Sequence, residues 1–293
     1  MFLVTGATGD IGKRVVRILR QKETPVRSFV RLSSRYGELE HRGSEIFIGD
    51  LQEQRDIDKA CLGVKYIISA HGSGGNALAL DYRANIELID RAKDIGVEHF
   101  VFISVLGADR GYEDAPVFKA KREVEKYLAA SGLNYTILRP AGLASNLLPL
   151  AERFQQTGIY LLVGDRQTRT SIISTDDLAL MAVESVSNAD ARNQILAVGG
   201  PEILKREDVP QIFSRVYQRE AIIINPPLVL VDGLRTAIGL FNADAQKALG
   251  TFRTLLNNEF FCTPAEIARL ESVFNMKLET LESFIRRYVE NVS

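Results

Sequence analysis

Hydrophobic and polar residues alternate in blocks from residue 1 to about residue 140. Short apolar, β-branched runs fall at 2–5, 26–30, 44–49, 64–70, 99–105 and 134–139. Between them lie stretches at 10–22, 54–62, 79–95 and 118–131 with apolar residues at helical spacing. In the first helical stretch Ile11, Val15, Val16, Ile18 and Leu19 form the stripe, with Lys13, Arg14, Arg17 and Arg20 between them. The strand runs are apolar on both alternations, as parallel strands covered on both faces must be. The pattern therefore predicts a doubly wound parallel α/β sheet.

After Pro140 the pattern loosens. It predicts a helix at 147–157, a strand at 159–163 and a short sheet strand at 171–174. Thr175-Asp176-Asp177 reads as the cap of a helix running to about 187, followed by a strand at 194–198. Helix 204–217, strand 220–224 and a long helical region from 228 to 260 follow. Thr263-Pro264-Ala265-Glu266 has the form of a capping box, and a last helix starts near Thr280. Two regions result: 1–145, which holds the first six strands, and 146–293, a smaller α/β lobe interleaved with it, which includes the later sheet strands near 171–174 and 194–198 and lies over the strand ends.

The first strand runs directly into glycines at Gly6, Gly9 and Gly12 and then into a helix. Such a turn lets the backbone approach a pyrophosphate, and the helix amides and dipole favour an anion there. The reading depends on context, since glycine turns are common; here strand, turn, helix and second strand all fall within about thirty residues. A carboxylate at the end of the second strand would accept from a ribose hydroxyl of NAD. That place instead holds Arg31, Leu32, Ser33 and Ser34. Arg31, with Ser33 or Ser34, suits a 2′-phosphate, so NADP(H) is the expected cofactor. Asp50 and Leu51, ending the third strand, suit an adenine amine and its face; Asp50 alternatively caps the next helix.

Composition narrows the class. A chain of 293 residues, 46% hydrophobic and 25% charged with net charge −1, is an ordinary globular protein able to bury a large core. No basic stripe points to nucleic acid, and no apolar run reaches membrane-spanning length. Met1 stands directly before the first strand, leaving no room for a signal or transit peptide, and the expected location is cytoplasmic. Cys61 and Cys262 form no motif and read as reduced packing residues. His41, His71 and His99 show no ligand spacing, so no metal site is expected. His71, beside Gly72, Ser73, Gly74 and Gly75, reads as a solvent-facing loop histidine, with contact to cofactor or substrate as the alternative.

The ordered series TGATGDIG at 5–12, VRSFVR at 26–31, GDL at 49–51, Asn85, VFISVLGA at 101–108, Lys121 and Glu125, SGLNYTILRPAGL at 131–143 and STDDLA at 174–179 resembles the atypical short-chain dehydrogenase/reductase superfamily. The likeness is greatest to its NmrA-like group, and it spans nearly the whole chain. The group includes photosystem II assembly proteins, and isoflavone-reductase-like enzymes and quinone oxidoreductases are more distant relatives. The resemblance implies a Rossmann fold with NADP(H) held by Gly6, Thr8, Gly9, Asp10, Ile11, Gly12, Arg31, Ser33, Asp50, Leu51, Ala70, Ser104, Lys121, Pro140 and Ala141. It implies Lys121 and Ser104 as the candidate catalytic residues, and a C-terminal substrate lobe.

One departure stands out. Active members of the superfamily place a tyrosine four residues before the lysine, on the same helical face, where the lysine lowers the phenol pKa. Here Val117 occupies that place, and none of the nine tyrosines has a lysine four residues later. Lys121 and Ser104 remain, each open to a blander reading as an exposed helix lysine and a strand-end serine bonded to backbone. Tyr112 comes near the crevice only if its loop swings inward. The paired carboxylates Asp176 and Asp177 read as helix capping. Two functions fit: an NADP(H)-linked reductase of a quinone, enone or other small conjugated acceptor, or a non-catalytic NADP(H)-binding protein that docks a protein partner. Epimerase chemistry depends on the missing tyrosine. The apolar stretch Pro227 to Phe241 is open to either a core or an interface role.

Overall fold

The computed structural model describes residues 1–72, 76–112, 115–226, 251 and 253–292. The strand-helix alternation folds in chain order as β1 (Phe2–Thr5), α1 (Asp10–Gln21), β2 (Val26–Val30), α2 (Gly37–His41), β3 (Glu45–Ile48), α3 (Gln54–Ala60) and β4 (Tyr66–Ser69). A π-helical stretch, Ala77–Arg83, then runs into α4 (Ala84–Asp94), followed by β5 (His99–Ile103), α5 (Pro116–Ala130) and β6 (Tyr135–Pro140). The later elements are α6 (Leu148–Thr157), β7 (Ile159–Leu161), β8 (Arg169–Thr170), α7 (Thr175–Glu184), β9 (Gln194–Val198) and β10 (Leu204–Lys205). The described chain ends with α8 (Asp208–Tyr217), β11 (Ile222–Ile224), α9 (Pro264–Phe274) and α10 (Leu281–Val292).

Among the described residues the main sheet has seven strands in the order β3-β2-β1-β4-β5-β6-β9. Every pairing in it is parallel. Alternate residues of each strand enter opposite cores. Val4, Ile68, Val101 and Leu138 face α1 and α7, with Val15, Leu19, Leu178 and Met181. Leu3, Ile67, Phe100, Phe102 and Ile137 face α3, α4 and α5, with Ile57, Leu88 and Val124. Each such fully buried side chain contributes about 1.5–3 kcal/mol relative to exposure. The sheet is thus covered on both faces, as the apolar strand runs predicted.

A third core joins α6, β7, α8 and α10 through Phe154, Tyr160, Phe213, Leu281 and Phe284. Beside this core β7 pairs in parallel with β11. The expected sheet strand at 171–174 does not form. Only Ile173 bridges to Leu143, because residues 169–170 turn away to pair antiparallel with β10. For the same reason the helix expected from 204 starts at Asp208. Helix α2 was not expected; five residues are too few for a periodic signal. The helix after Ser174 is capped by the Ser174 side chain, which accepts from the Asp177 amide, and not by the Thr175-Asp-Asp run. The capping box at Thr263 and Glu266 is present as read. Of the predicted helical region 228–260 the described residues are 251 and 253–260, and 253–257 are helical; Pro227 to Phe241 lies outside the described residues, as do Ser73, Gly74 and Gly75.

Candidate functional site

The site follows the carboxyl edge of the sheet. Gly6 follows β1 with φ +67°, and a Cβ there would lie 2.6 Å from the backbone of His71. Gly9 occupies the N-cap position of α1, and its amide donates to the Gly6 carbonyl at 2.9 Å. The first-turn amides of α1, at Asp10, Ile11 and Gly12, have no acceptor one turn earlier in the helix and are donors available to an anion.

A cavity of about 190 Å³ opens here, lined by Gly6, Thr8, Gly9, Arg31, Asp50, Leu51 and Ala70, together with Phe29, Val30, Ser34, His71, Gly72 and Leu80. Seven of the expected cofactor residues therefore meet around one space. Ser33 does not line it; the hydroxyl that does is Ser34, whose amide closes a turn onto the Arg31 carbonyl. Asp50 is no helix cap. Its Oδ1 accepts from the Gln52 amide at 2.9 Å, and Glu53 takes the N-cap position of α3. Gly12 lies against Gly6 and Ala7, where its role is close packing of helix on strand.

His71 overturns its sequence reading. It is 9% exposed, and its ring bridges two elements. Nε2 donates to the Leu80 carbonyl at 2.9 Å, which leaves Nδ1 to accept from the Thr5 hydroxyl at 2.8 Å. Burial lowers its pKa to about 4, so the ring is neutral near pH 7. Asn85 anchors the same region: it accepts from Ser69 Oγ at 2.6 Å and donates to the Asp81 carbonyl at 2.9 Å. The contacts of His71 with Thr5 and of Asn85 with Ser69 join residues 66 and 16 apart in sequence, so no local pattern foretold them.

Further along the edge, α5 carries Lys121 to the end of β5. It is not an exposed helix lysine: the residue is 9% exposed, and Nζ donates to the Ile103 carbonyl at 2.8 Å. The ammonium lies 5.0 Å from the Phe102 ring centroid and 3.8 Å from Asp81 Oδ1. Burial draws its pKa below the ordinary lysine value, against the pull of Asp81 and Glu125. Ser104 is buried next to Ile103, and its hydroxyl does not satisfy backbone. Among the described residues, Ser104 Oγ and Asp81 Oδ2 are buried side-chain oxygens without a hydrogen-bond partner. Unpartnered polar oxygens beside a buried ammonium fit the hydroxyl-rich ribose of a dinucleotide. Asp81 was missed in sequence because it lies in a segment read as ordinary helix.

Pro140 and Ala141 end β6 one strand further on. Ala141 lines a second cavity of about 400 Å³ rather than the first. Its other walls include Leu147, Leu150, Leu162, Ile172, Leu256 and Phe260, with Arg169 and Arg206 at polar points. Tyr112 does not face this crevice freely; its ring packs at 5.2 Å on Phe118 and 5.8 Å on Phe260. Cys61 and Cys262 are buried free thiols, raised by burial to about 12 and about 11. Among the described residues no group of three or more His, Cys, Asp or Glu could hold a metal ion, and no helix is long and apolar enough to cross a membrane.

The glycine turn after β1, the cavity beside it and the buried Lys121 follow one sheet edge, and their chemistry suits a dinucleotide. A family model described as NAD(P)H-binding matches residues 6–189. The chain belongs to the NAD(P)H-binding family. Its relatives place it in the atypical, NmrA-like group of the short-chain dehydrogenase/reductase superfamily, and NADP(H) as the expected cofactor is consistent with this. Photosystem II assembly factor Ycf39 of Cyanophora paradoxa is 26% identical over 302 residues, covering 99% of this chain and 92% of that protein. NAD(P)H azoreductase of Xenophilus azovorans is 30% identical over 244 residues, covering 82% of each. Among solved structures, NADPH-dependent quinone oxidoreductase QOR2 of Escherichia coli, complexed with NADPH, superposes with a TM-score of 0.76 at 20% identity. That superposition covers 100% of this chain and 99% of the other, and it shows a shared fold.

Proposed function

We propose that this chain is an NADPH-dependent reductase of quinones, enones, azo compounds or comparable conjugated acceptors. The observation that carries the reading is the order of features along one sheet edge. The dinucleotide cavity, the buried Lys121 beside Ser104, and the apolar cavity at Ala141 succeed one another from β2 to β6. A bound NADPH supplies a hydride. The protein's part is to hold the cofactor, orient the acceptor and keep water out.

The residues divide that work. Gly6, Gly9 and the α1 amides take the pyrophosphate, and Arg31 with Ser34 takes the 2′-phosphate. Asp50 and Leu51 meet the adenine. Lys121 holds the ribose hydroxyls, and Ser104 offers a hydrogen bond to the acceptor carbonyl. The walls around Leu147, Leu162 and Phe260 accept a flat apolar ring. Without a tyrosine-lysine pair, the chemistry best served is one in which the acceptor's conjugation spreads the incoming negative charge. A ketone–alcohol interconversion needs a stronger proton donor. Cys61 and Cys262, buried as free thiols, suit a reducing, cytoplasmic setting.

A second reading is favoured by one observation: the Ycf39 relatives align with 98% or more of this chain, lobe included. In that reading the nucleotide is a structural or sensory ligand and the lobe docks a protein. Steady-state NADPH consumption against a panel of quinones, enones and azo dyes tests between them. The reductase reading expects saturable turnover that falls at least about tenfold in Lys121→Ala while NADPH still binds. Tight NADPH binding with no acceptor consumed favours the docking protein.

A further inference from the structure

The catalytic lysine of a buried site needs something to hold its charge, and the tyrosine that usually shares its face is Val117 here. The structure supplies a carboxylate from another element. Asp81 is 1% exposed, and its Oδ1 lies 3.8 Å from Lys121 Nζ. It sits in the π-helical stretch Ala77–Arg83, which packs directly on α5. A π-helical turn is rare and concentrates at functional positions, because the widened turn re-aims its side chains. The stretch is fixed at three points. Asn76 accepts from the Ala79 amide at 3.2 Å, His71 donates to the Leu80 carbonyl, and Asn85 donates to the Asp81 carbonyl. Three polar contacts thus hold the backbone that aims one carboxylate. Its second oxygen, Oδ2, has no partner among the described residues, which is costly for a purely structural acid.

We propose that Asp81 is the positioning residue for Lys121: carried on the π-helical stretch, its carboxylate fixes the buried ammonium at the end of β5, beside Ser104, in the charged form that grips the cofactor ribose. The inference rests on Lys121 contacting the cofactor, as argued above, but not on any acceptor being reduced. The groups facing Lys121 are few. Asp81 comes from the π-helical stretch, and His71 after β4 is neutral. Glu125 lies one turn along α5 and is bound by Arg139 of β6 at 2.9 and 2.6 Å. Asp81 is therefore the carboxylate near Lys121 that no arginine neutralises among the described residues. Without it, desolvation would strip the proton from Lys121 at lower pH.

The test is NADPH affinity, measured by calorimetry on the full chain from about pH 7 to about pH 10. In the wild type, affinity weakens on the basic side as Lys121 loses its proton. Asp81→Asn should move that limb to lower pH by about one unit or more, and Asp81→Glu should restore most of it. Lys121→Arg, which keeps its charge throughout, should abolish the limb. A limb unmoved in Asp81→Asn, or one that persists in Lys121→Arg, overturns the proposal. Should Asp81→Asn not fold, the Asp81→Glu and Lys121→Arg arms still decide: a limb far from wild type in the first or still present in the second refutes it. A merely structural Asp81 would lower melting temperature and leave the limb in place. Failure of the reductase reading looks different, since NADPH would bind with these same limbs and no acceptor would consume it.

Discussion

Gly12 packs so closely on Gly6 that a Cβ at position 12 would press into the Gly6 carbonyl and lie 2.7 Å from the Ala7 Cα. The obstructing atoms are backbone, so neither side can rotate away. Gly12→Ala must push α1 off β1, at a cost of about 1–3 kcal/mol by overpacking. The same shift displaces the amides that meet the pyrophosphate. Calorimetry should show NADPH affinity down at least about tenfold, with a melting temperature below wild type. Retention of both would mean that the turn is not the anion site.

Arg31 stands at the rim of the dinucleotide cavity where NAD-specific sites carry an acid. A charge-assisted contact to a 2′-phosphate is worth about 1.5–3 kcal/mol. Arg31→Ala should therefore weaken NADPH about ten- to a hundredfold and leave NADH within about twofold. Equal losses for both nucleotides would remove Arg31 from the phosphate choice.

Glu125 and Arg139 tie α5 to β6. The Glu125 side chain is 4% exposed and meets Arg139 through both oxygens, at 2.9 and 2.6 Å. Glu125→Ala strips Arg139 of its buried two-point partner and leaves it an exposed carboxylate, so it should cost about 1.5–3 kcal/mol in denaturant unfolding. Arg139 also meets Asp109 at 2.7 Å, but that carboxylate is 55% exposed. Asp109→Ala should cost under about 1 kcal/mol. A reversal of that order would contradict the burial argument.

Asp177 gives a pH signature. Burial, with Glu279 and Asp176 nearby, raises its carboxyl to about 6 even though it accepts the Glu279 amide at 2.7 Å. A raised carboxyl binds its proton more tightly in the folded state. Its penalty is therefore absent below the unfolded pKa and grows as pH rises through about 6. Asp177→Asn should be more stable than wild type by about 1–2 kcal/mol near pH 8, after allowance for solvent screening, and should converge with it near pH 4. Asp176 behaves oppositely. Burial alone would raise it, but Arg287, Arg14 and Arg17 hold it below its ordinary value, so its contribution is lost as pH falls.

The parts of the site that the sequence announced are those fixed by local rules. The turn from β1 to α1 needs glycines at fixed offsets, and Arg31 and Asp50 follow from where strands end. The unannounced parts depend on distant partners. His71 reads as a loop residue until Thr5 and Leu80 enclose it, and Asp81 reads as a helix polar position until the π-helical turn swings it towards Lys121. The sequence left Ser33 and Ser34 as alternatives, and the turn from Arg31 to Ser34 decides that the Ser34 hydroxyl faces the cavity. Residues 171–174 have strand composition, but β8 and β10 pair just before them and redirect the chain.

We propose that one sheet edge brings NADPH and a conjugated acceptor together at Lys121. Stopped-flow mixing of the NADPH-loaded chain with a soluble quinone reads it directly, through the loss of reduced-nicotinamide absorbance in a single turnover. Acceptor-dependent oxidation, saturating with quinone and slowed at least about tenfold in Lys121→Ala, is the expected result. Bound NADPH that stays reduced at every quinone, enone and azo dye concentration would contradict it.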